Sequence, residues 1–284
     1  MGLLPLFVAE EKGYFEEQQI DVHWQDVGDP SQAANLFHAD RADLIITTFA
    51  GLLPAEVREP GHFRLLCPVN EPSSQPGSYV LVKPDSQLRS IQDLRGRTLG
   101  TYSGPTQKAY AIIVLKRLGL EEPRDVQLVQ VGSAAQIAGL FGGAFDALFT
   151  VEPYASTAIA QGARILEEGV RPKWIADPFW VGSVAIRTRM LKEHPGIENK
   201  ILHALDQAAT FILQNEDEAR RILERRTGIS TDVANRCGLY KWIAHPTRAD
   251  MAEIQEQVDF LVAEGLLAES VHVKDLFDGI PDKQ

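Results

Sequence analysis

The spacing of apolar positions along the chain switches repeatedly between a helical period of about 3.6 and the alternation of a strand. Leu6, Val8 and Ala9 begin a short helical pattern that stops at Gly13, and "QIDVHWQDV" alternates Ile20, Val22 and Trp24, which predicts a strand. Asp29-Pro30 reads as an N-cap followed by proline at the first helical position, with a helix running to about His38. "ADLIITT", "YVLVK", "VQLVQV" and "FDALFTV" predict further strands, and "AAQIAGLFGG" a helix between the last two. "EPYASTAIAQG" predicts a helix opened by Pro153 and closed by Gly162. From about residue 190 the pattern is mostly helical, through "ENKILHALDQAATFILQN", "EDEARRILERRTG" and "RADMAEIQEQVDFLVAEGLL". Strands alternating with helices predict an α/β fold. Such a domain ordinarily opens on a strand, whereas "MGLLPLFVAEEKGYF" enters a helix at once. The expectation is that a first strand, and anything upstream of it, lies outside this sequence.

Two stretches share a plan. "LFHADRADLIITT" and "LFGGAFDALFTV" each place a Leu-Phe helix end before an aspartate, and an apolar strand then reaches a threonine four residues later, Asp43 to Thr47 and Asp146 to Thr150. Any βαβ unit produces this pattern, and so do two α/β lobes of similar build. In open α/β sheets ligands sit beyond the carboxyl ends of the strands, where helix N-termini also point.

Composition narrows the partners. The 284 residues are 44% hydrophobic, enough for one large domain or two of ordinary size. The formal net charge is −11 with no basic run, which disfavours nucleic acid and anionic membrane surfaces. Cys67 and Cys237 are single and far apart, and the seven histidines show no ligand spacing, so no metal or cofactor is expected. No apolar run is long enough to span a membrane, and no signal-peptide pattern is visible.

Three strand ends carry polar or small residues where a ligand would sit: Thr47-Thr48-Phe49, the "GTYSGPTQKAY" turn, and Thr150-Val151-Glu152-Pro153-Tyr154. In the turn, Ser103 is placed to cap a helix containing Pro105 in its first turn, which leaves the N–H groups of Thr106 and Gln107 for an anion or a polar oxygen. Gly104 permits close approach to the backbone. The same residues also describe an ordinary capped helix. The turn lacks the Gly-Lys-Ser/Thr of a P-loop and the flanking glycines of a nucleophile elbow. Glu152 either stabilises a helix N-terminus or accepts a hydrogen bond from a ligand donor. Phe49, Tyr102, Tyr154, Phe179 and Trp180 are candidate aromatic walls, or else core residues. Spacing reveals no nucleophile–base pair and no carboxylate pair.

"PLFVAEEKGYFEEQQIDV", "ADLIITT", "LRSIQDLRGRTLGTYSGPTQKAY", "LKRLGLEEPRDVQLVQV", "GAFDALFTVEPYASTAIAQGARIL" and "VDFLVAEGLL…VHVKDLFD" occur in that order. With these motifs the whole chain resembles the substrate-binding proteins of ABC importers of the sulfonate, taurine and nitrate type, which also include thiamine-pyrimidine binders. The resemblance implies a two-lobed, type II periplasmic-binding-protein-like α/β fold, each lobe a mixed sheet flanked by helices, with two crossing hinge strands near "SYVLVK" and "FWVGSVAI". The lobes would be 1–78 plus 187–284, and 79–186. It further implies a monomer, periplasmic or extracytoplasmic, with permease subunits and a small-molecule ligand as partners. The strand ends and aromatic candidates above make Thr47, Thr48, Phe49, Tyr102, Ser103, Gly104, Thr106, Gln107, Glu152, Tyr154 and Trp180 the expected ligand-binding residues. Some proteins of this fold are enzymes. The pyrimidine-synthesising branch carries a cysteine-rich motif that is missing here. The desulfinase branch uses a cysteine nucleophile near an R-x-G-G run, and no such run follows Cys67. The nitrate branch relies on charged residues, and these strand ends offer Lys108 alone. The expected function is therefore capture of a small organic solute with an apolar or ring-shaped body and one polar or acidic head. An enzyme on the same fold and a cytosolic ligand sensor are the alternatives.

Overall fold

The computed structural model describes residues 2–25, 27, 30–103 and 105–277, with the main chain alone at 30–32 and 105. Among the described residues nine strands form: β1 (Leu44–Thr48), β2 (Phe63–Glu71), β3 (Ser78–Val82), β4 (Arg97–Tyr102), β5 (Val126–Val131), β6 (Ala147–Val151), β7 (Arg164–Glu168), β8 (Phe179–Arg187) and β9 (Lys241–Trp242). They make two sheets flanked by helices, with strand orders β5-β4-β6-β3-β7 and β1-β8-β2-β9. The chain divides into two compact units. The first comprises 71–179 and 227–240; the second comprises 2–70, 180–226 and the described residues from Lys241 onward.

In the first unit β4 runs parallel to both β5 and β6, and β3 runs antiparallel to β6 and β7. Parallel strands covered on both faces read as continuous apolar runs, as β6 (ALFTV) does here, buried along most of its length. The carboxyl ends of β4, β5 and β6 consequently share one edge of the sheet, at Tyr102, Val131 and Val151. Phe145 is buried between Gly100 of β4 and Gly139 of the helix Gln136–Gly142, since a Cβ on either glycine would lie 2.7 Å from its ring. Two missing side chains thus make the slot that lets this helix lie close on the sheet. Tyr79, Leu81, Leu140, Leu148 and Ala155 complete the adjoining core. Burial of each large side chain stabilises by roughly 1.5–3 kcal/mol.

In the second unit β1 pairs antiparallel with β8, Thr48 opposite Gly182 and Leu44 opposite Ile186. The helix Leu4–Glu11 packs on Ile197–Gln214 and ends before Gly13, which takes a left-handed φ of +77° that suits glycine.

One predicted strand does not form. Residues 20–25 have no strand partner, and Trp24 instead packs on Phe7 with ring centroids 5.4 Å apart and donates its indole N–H to Glu10. The guanidinium of Arg226 lies over both rings, 4.6 Å from Phe7 and 5.2 Å from Trp24. Alternation had signalled one semi-exposed face; stacking on a helix, rather than pairing in a sheet, covers it. The helix expected after Asp29-Pro30 is present as Pro30–His38, while Asp29 lies outside the described residues.

Candidate functional site

At the sheet edge of the first unit, Tyr102 ends β4 half-buried and Ser103 follows it exposed, its N–H donating to the Val131 carbonyl at 2.9 Å. The next helix begins at Pro105. The cap expected of Ser103 falls at the junction with Gly104, which lies outside the described residues. Thr106 is half-buried and Gln107 is buried in that helix's first turn. Lys108 points to Glu122 at 4.0 Å.

Glu152 follows β6 and is 5% exposed. Its carboxylate accepts from the Ser156 N–H at 3.1 Å and the Ser156 hydroxyl at 2.9 Å, and so satisfies the first turn of the helix Tyr154–Ala160. The Cys237 thiol donates to the same carboxylate at 3.5 Å, and the Gly238 backbone N–H adds another donor. Burial raises the Glu152 pKa above the ordinary carboxylate value, and these donors oppose the rise. Cys237 is pushed up to about 12, first by burial and then by Glu152 beside it. A thiol held this way is a hydrogen-bond donor and not a nucleophile. Cys67 sits in β2, 1% exposed, with burial pushing its pKa well up.

The sequence reading missed the cation of this region. Arg171, on the short helix Val170–Trp174, is 2% exposed and bonds Glu71 through Nε at 2.7 Å and Nη2 at 2.6 Å. Glu71, fully buried, also accepts from the Gly77 N–H at 2.8 Å and the Ser78 hydroxyl at 2.7 Å. Arg171 Nη2 further donates to the Tyr240 hydroxyl at 2.9 Å. Tyr102 lies within electrostatic reach of Arg171 and of the phenols of Tyr240, Tyr110 and Tyr154. Burial pushes Tyr110 and Tyr240 up to about 12, with Arg171 working against it. At neutral pH these phenols are neutral donors. Tyr110 is 1% exposed, and its hydroxyl has no partner among the described residues. Nothing in "GVRPKW" or "CGLYKW" distinguishes Arg171 or Tyr240 from surface residues; only the fold brings them together.

The remaining predicted residues belong to the second unit. Thr47 and Thr48 end β1 half-buried, and the Thr48 hydroxyl accepts from the Gly51 N–H at 3.2 Å to cap the helix Phe49–Arg58. Phe49 is 1% exposed. Trp180 is equally buried; its main chain is bracketed by the Gln257 amide at 2.8 and 2.6 Å, and its indole N–H donates to Glu253 at 3.3 Å. Among the described residues, no group of three or more His, Cys, Asp or Glu side chains is placed to hold a metal, and no helix is long and apolar enough to cross a membrane.

Comparison with known proteins agrees with this architecture. A protein of Haemophilus influenzae named for thiamine biosynthesis is 23% identical over 279 residues, covering 95% of this chain and 85% of its own length. The 4-amino-5-hydroxymethyl-2-methylpyrimidine phosphate synthase THI13 of Saccharomyces cerevisiae is 22% identical over 256 residues, covering 84% of this chain and 72% of its own length. Among solved structures, the periplasmic aliphatic sulphonate binding protein SsuA from Escherichia coli superposes with a TM-score of 0.79 at 16% identity, covering 100% of this chain and 91% of that one. The likeness shows a periplasmic-binding-protein-like α/β fold. The family described as NMT1/THI5 like matches residues 2–219, and the chain belongs to it.

Proposed function

We propose that this protein is the solute-binding component of an ABC importer. In this reading it works as an extracytoplasmic monomer, holds a small organic solute in a cleft between two lobes, and delivers it to membrane permease subunits. The site would draw on Thr47, Thr48, Phe49, Tyr102, Ser103, Gly104, Thr106, Gln107, Glu152, Tyr154 and Trp180. The observation that carries the solute class is the sheet edge of the first unit. The Tyr240 phenol bonds a guanidinium that Glu71 already neutralises, and Tyr102 and Tyr110 lie within its electrostatic reach. A bare anion such as nitrate gains little from a cation whose charge is spent. A ring-shaped or alkyl body gains about 25 cal/mol per Å² of apolar area buried against such rings, and neutral donors suit a sulfonate or heterocyclic head. The sulfonate-binding structural neighbour and the thiamine-linked relatives favour the same two ligand classes.

The test is a thermal-shift screen over alkanesulfonates, taurine, nitrate, bicarbonate and aminopyrimidine thiamine precursors, followed by calorimetry. A solute present at about 100 times its Kd adds about 2.7 kcal/mol to stability. Thr106→Val is expected to weaken the best solute by roughly ten- to a hundredfold, through loss of one hydrogen bond. Tightest binding by nitrate or bicarbonate would overturn the solute class.

The yeast synthase among the relatives favours one second reading, an enzyme on this fold. Both thiols are buried with raised pKa values, so a cysteine nucleophile finds no support in this chain. Product formation from a bound pyrimidine or sulfinate would establish the enzyme reading instead.

A further inference from the structure

The chain passes between its two units at three strands, beyond Glu71 in β2, beyond Phe179 in β8 and ahead of β9 after Tyr240, and once more at Arg226–Thr227. Glu71, Phe179 and Tyr240 are the residues of the first unit at those three strand passages. All three touch one side chain. Arg171 bonds the Glu71 carboxylate through Nε and Nη2 and donates to the Tyr240 hydroxyl at 2.9 Å. Its guanidinium carbon lies 4.9 Å from the Phe179 ring centre and 5.7 Å from that of Tyr240.

The surroundings leave this node little freedom. Among the described residues Glu71 takes donors from Arg171 Nε and Nη2, the Gly77 N–H and the Ser78 hydroxyl, and Ser78 in turn accepts from the Arg171 main-chain N–H at 2.9 Å. A Cβ on Gly77 would lie 2.4 Å from Tyr240 Cε1, and one on Gly238 would lie 2.2 Å from the Pro76 carbonyl oxygen. Tyr240 therefore rests directly on main chain. A buried ion pair adds little net stability compared with an apolar replacement, and its attested use is to specify one arrangement over others. A planar fork with donors in its plane and faces for rings can engage a carboxylate, a phenol and an aromatic ring at once, which a lysine ammonium cannot.

We infer that Arg171 is a positioning residue that fixes the first-unit ends of all three strand connections, so that these three ends move as one body when a solute is captured. The inference rests on the solute-capture reading, but its decisive measurement needs no solute. Hydrogen exchange is followed in the solute-free protein and in Arg171→Lys, Phe179→Leu and Tyr240→Phe. In Arg171→Lys, amides around Glu71, Phe179 and Tyr240 are expected to exchange at least tenfold faster together, with β4, β5 and β6 unchanged. Acceleration around Glu71 alone would overturn the proposal. Should Arg171→Lys fail to fold, the milder variants decide: with a shared node, Phe179→Leu speeds exchange at Tyr240 and Tyr240→Phe speeds it at Phe179. Purely local effects in both would overturn it. If exchange behaves as expected and small-angle scattering shows no compaction with any solute of the screen, the node stands and solute capture by closure falls.

Discussion

At the end of β1 the chain turns into the helix Phe49–Arg58 with one neutral hydroxyl, that of Thr48, bonded to the Gly51 N–H. At the end of β6 it turns into the helix Tyr154–Ala160 with a buried carboxylate, Glu152, which takes donors from Ser156 and from Cys237, 85 residues away in sequence. The first junction is satisfied locally. The second satisfies its helix and also ties the segment 227–240 to the strand end. A neutral cap is worth its one hydrogen bond, whereas a buried carboxylate depends on every donor around it and responds to pH.

Four measurements break or sharpen this contrast. The largest effect is expected from Gly182→Ala beside the first junction. The added Cβ would lie 1.9 Å from the Thr47 carbonyl oxygen, so β1 and β8 must part. A loss of about 3 kcal/mol in urea denaturation is expected, and an unaltered midpoint would show that the register there is loose. Ser156→Ala removes one donor from Glu152 and is expected to lower stability by about 2 kcal/mol, as for a buried hydrogen bond to a charged group. A loss no greater than that of Thr48→Ala would erase the contrast. Thr48→Ala itself removes a helix cap, with an expected loss of about 1 kcal/mol in the same denaturation. The last effect is one of slope. Because burial raises the Glu152 pKa above its ordinary 4.5, the folded state binds a proton that the unfolded chain has released. This contribution to stability is complete below 4.5 and is lost as pH rises through the raised value. Glu152→Gln should flatten that part of the pH–stability curve, while Thr48→Ala leaves its shape alone. Identical curves for wild type and Glu152→Gln would mean that Glu152 titrates normally.

The strand ends of both junctions were visible because an apolar run closed by a polar residue is a local signal, whereas the helix Phe49–Arg58 that follows the first was not read. β5 and β6 were readable as strands for the same reason. The strand assigned to residues 19–27 failed because alternation reports a half-covered face and does not say what covers it; Phe7 and Arg226 do so here. Arg171, Tyr240 and Cys237 were beyond local reading altogether, since each acquires its role from partners 69 to 100 residues distant. Glu152 lay between these cases. Its helix-capping role was legible, and its long-range thiol donor was not.

The interleaving of the two units also has a consequence for synthesis. Glu71 emerges from the ribosome first, Arg171 follows 100 residues later, and Tyr240 another 69 after that. A nascent chain halted before Tyr240 holds a carboxylate–guanidinium pair whose phenol has not yet been made, and its Glu152 lacks Cys237. Neither unit is complete until late in translation, because each is assembled from separated segments. Long-range pairings of this kind form slowly and leave apolar sheet faces open in the meantime. The segments that emerge last, 227–240 and those from Lys241 onward, therefore have to find partners that were made long before them.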